Sequence, residues 1–377
     1  MKKLFQLAAC ISAALLCVSC GQQAGENGQQ SHTALPLSVS FTPSTETTTL
    51  TKLFPSARVV RLETNDRSIV GGRSIKVLRR GNAYFIGTGN EVVCFDSVGS
   101  YTGRFNRAGS GPDEYIQLYD FDVVCPDGQT PEMWISTRGG IKAYDLQTAE
   151  LKRQLKVDAH VNQFHYVNDS TILLVTPDEH PFLVTDMQGH IRRVYGTMDR
   201  ANSGVKSVQF VTRQNLVLYL IDDTYEAVVY DTQTDTLSTL PLFQTTEPLL
   251  TCQINREYYE KFGYMKQYEE VSRDYIRLSA LRTFGDRVLM TTFHPQGQSM
   301  LTWADGRTLR TYSFAPDAPY LQGDLIDTES LRYLSSLICC DSDAGFLLMI
   351  TAGLITDGKT TEDDNPVLID IPLGPTK

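Results

Sequence analysis

The most regular feature of the chain is a recurring pair of segments in which apolar and polar residues alternate on either side of a polar turn. The copies read VVCFDSVGSYTGRF, IKAYDLQTAELKRQL, FLVTDMQGHIRRVY, AVVYDTQTDTLSTL and MLTWADGRTLRTYSF. Period-two alternation around Asp, Gly, Asn and Thr predicts β-hairpins. Their reference aspartates Asp96, Asp145, Asp186, Asp231 and Asp305 are separated by 49, 41, 45 and 74 residues. Intervals of this length suit four-stranded propeller blades and are too long for solenoid turns. Upstream of each pair lies another hairpin with a strongly apolar second strand: AYFIGT, EMWIST, TILLVT, LVLYLI, RVLMTT and, at a sixth position, GFLLMI. The turns RRGN, PDGQ, VNDS, RQN, FGD and DSDAG carry the breakers that such hairpins need.

The pattern predicts an all-β chain, a six-bladed β-propeller of four-stranded antiparallel blades over residues 50–377. The sixth unit, SSLICC, GFLLMI and NPVLIDIPL, is one strand short, whereas ARVVRLE precedes the first unit. Pairing Val59 to Leu62 as the outer strand of the last blade would close the ring and remove its exposed edges. Two connections are long. QINREYYEKFGYMKQYEEVSRD spaces Ile254, Tyr258, Phe262, Met265 and Tyr268 three or four apart, predicting an amphipathic helical insertion between blades four and five. YLQGDLIDTESLRYLSS, between blades five and six, predicts a shorter helix.

Three further segments, VVRLET, GSGPDEYIQLYDFDV and NPVLIDIPL, resemble the six-bladed β-propeller lipoproteins of Bacteroidetes, relatives of NHL-repeat propellers. In that family the second segment usually reads Gly-x-Gly-Pro-Gly-Glu-Tyr; Gly109, Gly111, Pro112, Glu114 and Tyr115 match and Asp113 replaces a glycine. The resemblance covers 57–373 and implies the architecture. It brings no general catalytic residues with it, so function must come from a site.

The first residues change the picture of location. Lys2 and Lys3 precede an apolar run from Leu4 to Val18, too short to span a bilayer and typical of a secretory signal. Small Ser19 before Cys20 resembles a lipoprotein cleavage site, although Cys17 stands where leucine is usual. Residues 1–19 are therefore expected to be a signal, Cys20 a lipidated residue, and the polar stretch 20–49 a flexible linker. This places the protein in the cell envelope, anchored to a membrane, with the outer membrane favoured, only by its lipid. The composition, 41% hydrophobic and 21% charged, is that of a globular domain. Loss of Lys2 and Lys3 takes the formal charge from −10 to −12, which argues against nucleic acid as a partner. Cys94, Cys125, Cys252, Cys339 and Cys340 lack zinc-site spacing and predict no disulfide.

Candidate chemistry is sparse. The glycines of RAGSGPDEY are followed by Asp113 and Glu114 and by β-forming residues rather than a helix, so they predict a tight turn using glycine's freedom at positive φ and not a phosphate cradle. IQLYDFDVV is expected to be the inner strand of blade two, with Asp120 and Asp122 on one face, able to reach an ion near the channel. No EF-hand loop, H-E-x-x-H helix, sialidase signature or G-x-S-x-G element is present. Loops between second and third strands share a face with the crossovers between blades. That face should collect Glu114, Tyr115, Asp178, Glu179, His180, Asp222, Asp223, Tyr225 and His294 beside Tyr258 and Tyr259 of the inserted helix. The leading expectation is a binding module for a ligand, carbohydrate or peptide, or for an envelope protein, with no metal, cofactor or catalytic residue. The alternative is a hydrolase or lyase whose acids and histidines converge at the channel mouth. A third is an assembly role with the helix as an interface.

Overall fold

The computed structural model describes residues 37–41, 53–71, 74–126, 129–196, 210–213, 216–221, 225–241, 243–284, 287–295, 299–305, 308–313, 340–350, 352 and 360–374. Two short strands come first, β1 (Leu37–Ser38) and β2 (Arg58–Arg61). Blade one is β3 (Ser74–Arg80), β4 (Ala83–Thr88), β5 (Glu91–Asp96) and β6 (Tyr101–Phe105). Blade two is β7 (Phe121–Val124), β8 (Glu132–Thr137), β9 (Gly140–Asp145) and β10 (Leu151–Lys156). Blade three is β11 (Gln163–Asn168), β12 (Thr171–Val175), β13 (Phe182–Thr185) and β14 (Ile191–Tyr195). Blade four is β15 (Phe210–Arg213), β16 (Leu216–Ile221), β17 (Glu226–Asp231) and β18 (Thr236–Pro241). The short β19 (Phe243–Gln244) and helix α1 (Cys252–Asp274) lead to blade five, β20 (Arg277–Phe284), β21 (Arg287–Phe293), β22 (Ser299–Asp305) and β23 (Thr308–Ser313). β24 (Cys340–Ser342), β25 (Gly345–Ile350) and β26 (Val367–Pro372) complete the chain. Blades one to five are antiparallel meanders, and the sixth is β25, β26 and β2.

The repeated aspartates explain why the hairpins turn where they do. Asp96 Oδ1 accepts the backbone N–H groups of Val98 (3.0 Å) and Ser100 (2.8 Å). Asp145 Oδ1 does the same for Gln147 and Thr148, and Asp186 Oδ1 for Gln188 and His190. Asp231 Oδ1 takes the N–H of Gln233 at 2.8 Å. Each is an Asx turn, in which the side chain mimics a backbone turn between the third and fourth strands.

Six apolar seams hold adjacent blades together. Phe105, Tyr115, Phe121 and Tyr144 fill the seam of blades one and two, and Trp134, Phe164 and Ile172 that of two and three. Leu173, Val184, Val217 and Tyr230 join three to four; Val229, Val288 and Met290 join four to five. Leu289, Phe346 and Ile369 join five to six, while Val60, Val77, Tyr84 and Leu368 close six onto one. A fully buried side chain of this kind stabilises by about 1.5–3 kcal/mol, so the fold is distributed around the ring rather than held at one centre.

The expected closure is present. β2 runs antiparallel to β26 with Arg58 opposite Asp370 and Val60 opposite Leu368. Three details differ from the expectations. First, β24 pairs in parallel with β3 of blade one rather than antiparallel to β25, because Asp343 reaches across: its N–H donates to Arg79 O and its Oδ2 accepts the N–H of Gly81. Second, residues 37–41 belong to the fold, although linker was expected up to residue 49. Alternate Leu37, Val39 and Phe41 suit a strand, and β1 pairs in parallel with β19. Third, the inner strand of blade two starts at Phe121 rather than Ile116, since the preceding residues are held in the crossover described below.

Helix α1 begins at the N-cap Thr251, whose hydroxyl accepts the N–H of Ile254, and kinks at Gly263 (φ 75°). Its base is drawn together by Leu250 N–H donating to Ile276 O and Ile276 N–H donating to Pro248 O. The shorter helix expected in YLQGDLIDTESLRYLSS, and Cys20 with its signal, lie outside the described residues. No described helix is long and apolar enough to cross a membrane.

Candidate functional site

The inner strands carry charge toward the central channel. Lys76 Nζ on β3 donates to Asp120 Oδ1 (2.9 Å) and to Phe121 O (3.0 Å). Arg80 donates from Nε and Nη2 to the two carboxylate oxygens of Asp122, each at 2.9 Å, and from Nη2 to Asp341 Oδ2 at 2.6 Å. Asp120 Oδ2 accepts the N–H of Phe164 on β11 (3.1 Å). One network thus ties blades one, two and three to the short strand β24. Asp120 and its neighbour Asp122 do face the channel side of blade two, but what they reach is the protein's own ammonium and guanidinium. Among the described residues, no group of three His, Cys, Asp or Glu side chains is placed to hold a metal ion. Burial raises the Asp341 carboxyl, but Arg80 and Lys76 outweigh it and hold the group at about 2.

His165 on β11 stands in this network. Burial lowers its pKa to about 4, with Arg80 and Lys76 adding to the effect and Asp122 and Asp341 opposing it. The imidazole is therefore neutral in the fold at pH values where an unfolded histidine already takes a proton. Its contribution to stability is complete above pH 6.5 and is lost as the pH falls through that value toward 4. The loss should reach at most about 2 kcal/mol at pH 5, and His165→Gln should flatten that part of a urea-denaturation pH profile; an unchanged slope would contradict the assignment.

The loop face above this network is built by the crossover from β6 to β7. Glu114 Oε2 accepts the N–H of Gly111 (2.8 Å), and the Tyr115 hydroxyl donates to Asn90 O (2.7 Å). Lys142 Nζ, reaching from β9, donates to Pro112 O (2.7 Å) and Glu114 O (2.5 Å). Neither Gly109 nor Gly111 has a positive φ. What crowds them is the Glu114 carboxylate, which a Cβ on Gly109 would push aside. The braced crossover leaves Ile116 81% exposed and delivers Tyr119 to the mouth of the channel, just before β7.

His160, just before β11, meets Tyr119 there with ring centroids 4.6 Å apart and planes at 71°. Its backbone N–H donates to Asp178 Oδ2 (3.0 Å) in the loop between β12 and β13. Its Nε2 is shielded from water and has no hydrogen-bond partner among the described residues. A buried polar atom left unmatched is uncommon in folded proteins.

The residues expected at the site separate into distinct roles. Asp178 belongs to the mouth. Glu114 and Tyr115 brace the crossover, and Tyr115 is 1% exposed. His180 lies on the Asp178 loop, where its Nδ1 pairs with Gly196 O (2.9 Å). His294 is buried in blade five, with Nε2 3.0 Å from Thr292 Oγ1, and burial lowers its pKa. Tyr225 is buried, and its hydroxyl donates to Leu250 O at the base of the helix. Tyr258 donates to Asp274 Oδ2 and packs on Phe262 and Tyr275, whereas Tyr259 is exposed. Asp222 and Asp223 lie outside the described residues. Tyr119 and His160 are the members that reasoning from motifs did not single out. One signal was available: they are 41 residues apart and hold equivalent places before successive inner strands.

Comparison with known proteins bears on the fold. A family model described as a 6-bladed beta-propeller matches residues 27–321. Among solved structures, a Bacteroides fragilis NCTC 9343 protein assigned as exported is similar with a TM-score of 0.62 and 14% identity, over 86% of this chain and 97% of that one. A member of the duf4221 family from Bacteroides vulgatus ATCC 8482 aligns at 8% identity over 84% of this chain and 96% of its own, with a TM-score of 0.48. No curated protein matches. With most of its length matched, the chain belongs to the DUF5128 family of 6-bladed beta-propellers.

Proposed function

We propose that the protein is an exported, membrane-tethered binding module that takes a peptide segment of an envelope protein at the loop-face mouth of its channel. The observation that carries this reading is the pair of half-buried rings, Tyr119 and His160, 4.6 Å apart before the inner strands of blades two and three. Exposed Ile116 on the same crossover adds an apolar anchor. Aromatic rings that combine apolar area with a polar end are frequent anchors of peptide and protein contacts. Beneath them, Lys76, Arg80, Asp120, Asp122 and Asp341 are engaged with one another, so the mouth rather than the bore is the surface on offer. His180 and His294 are each engaged within their own part of the ring, which favours binding over the hydrolase or lyase alternative. Export and tethering are supported by the signal-like first residues with Ser19 and Cys20, and by the fold shared with an exported-class protein.

The test is capture of peptides from a tryptic digest of envelope proteins on the immobilised protein, read by mass spectrometry. Tyr119→Ala combined with His160→Ala should weaken the captured peptides by on the order of 30-fold, while Tyr259→Ala should leave them bound. Loss with Tyr259→Ala alone would move the interface to the helix. Capture of glycans in place of peptides would assign the mouth to carbohydrate.

A further inference from the structure

The N-terminal segment touches blades that lie far from it in sequence. Val39 and Phe41, 4% and 1% exposed, enter the seam between blades four and five. They pack with Ala227 and Val229 of blade four and with Leu281, Val288, Met290 and Ala304 of blade five. Phe54, 3% exposed, enters the next seam, edge-on to Trp303 of blade five at 4.8 Å and 6.4 Å from Phe346 of blade six. The backbone contacts are few: β1 pairs with β19 at Leu37 and Ser38, and Val39 N–H donates to Gln244 O (3.1 Å). On the other face of the segment, Ser40 Oγ donates to Glu247 Oε1 (3.1 Å), 207 residues away. This is how an extended peptide is bound in a groove, with main-chain pairing for position and alternate side chains inserted for affinity.

We propose that residues 37–41 and Phe54 form a clasp, an in-chain ligand of the two seams flanking blade five, whose docking holds blades four, five and six in place. The seam of blades four and five is then a groove for an extended apolar–polar–apolar segment, filled by Val39-Ser40-Phe41. Because its docking sites lie between residues 227 and 371, the clasp engages only when nearly the whole chain is available. It also fixes where the segment before residue 37 leaves the propeller, beside β19 and the base of α1. The inference is independent of the ligand reading at the channel mouth.

The test keeps the full chain. A protease site is inserted between residues 42 and 52, the folded protein is cut, and its parts are followed by size-exclusion chromatography and hydrogen exchange. The N-terminal piece should stay with the propeller after cutting. It should be exchanged by an excess of synthetic peptide covering residues 35–43, and not by the same peptide carrying Phe41→Asp. Its removal should speed exchange at least tenfold in β20 to β22 while β8 and β9 keep their rates. A piece that leaves at once on cutting would overturn the clasp. So would displacement by the Phe41→Asp peptide, or a rise in exchange spread equally over all blades. Since the competing peptides need no substitution in the propeller, a failure to fold cannot imitate any of these results.

Discussion

Replacing Asp370 by alanine should destabilise the protein by about 3–5 kcal/mol, read as a fall in the urea midpoint at constant slope. Asp370 is fully buried at the centre of the ring closure. Its Oδ2 accepts from Arg58 Nε (2.9 Å), Arg58 Nη2 (2.6 Å) and the Tyr84 hydroxyl (2.8 Å), and its Oδ1 accepts from Arg79 Nη1 (2.7 Å). Burial, followed by Asp370 itself, pushes the Tyr84 hydroxyl up to about 12, so it remains a donor. Without the carboxylate, the Arg79 guanidinium loses its counter-charge where water has little access, the Tyr84 hydroxyl loses its acceptor, and the half-exposed Arg58 loses its partner. The damage falls on the pairing of β2 with β26, which closes the sixth blade. Asparagine keeps the shape but cannot answer two cations, and its effect should lie between wild type and alanine. A cost below about 1 kcal/mol for Asp370→Ala would show that the apolar seam alone closes the ring.

Asp120→Ala should cost a comparable amount, about 3–5 kcal/mol, by stranding Lys76 inside the channel. The Lys76 ammonium is opposed by burial, yet Asp120, Asp122 and Asp341 together raise its pKa. Removing Asp120 takes away the nearest of these and also the acceptor of the Phe164 N–H. Replacing both members, Lys76→Met with Asp120→Leu, should recover part of the loss, because a well-packed apolar pair is often no worse than a buried ion pair. Equal costs for the single and double variants would place the effect in the Phe164 contact rather than in the pair.

The blade repeat was legible because each hairpin carries its own turn chemistry. An aspartate that caps two backbone N–H groups, as Asp96, Asp145 and Asp186 do, repeats whenever the blade repeats. The closing strand was legible for a related reason: an unpaired strand at one end and a missing strand at the other leave a single arrangement without edges. The clasp was not, since residues 37–41 are too short for alternation to stand out in a Ser- and Thr-rich stretch. The site was legible only in part. Asp178 lies on its expected loop and accepts the His160 N–H, while Glu114, Tyr115, Tyr225 and Tyr258 make internal hydrogen bonds at the crossover and the helix base, a use that composition does not distinguish from ligand contact. The charge network was readable in retrospect: Lys76 with Asp120 and Arg80 with Asp122 lie 44 and 42 residues apart, one blade interval, so inner strands of successive blades place them side by side.

The central claim is that the channel mouth between blades two and three is the binding surface. Hydrogen exchange on the full-length protein, with and without the peptide captured from the envelope digest, tests it most directly. Protection concentrated at Ile116 to Tyr119, around His160 and around Asp178 is the expected result. Protection confined to the opposite face, at the Asx turns of Asp96, Asp186 and Asp231, or to helix α1 alone, would contradict it.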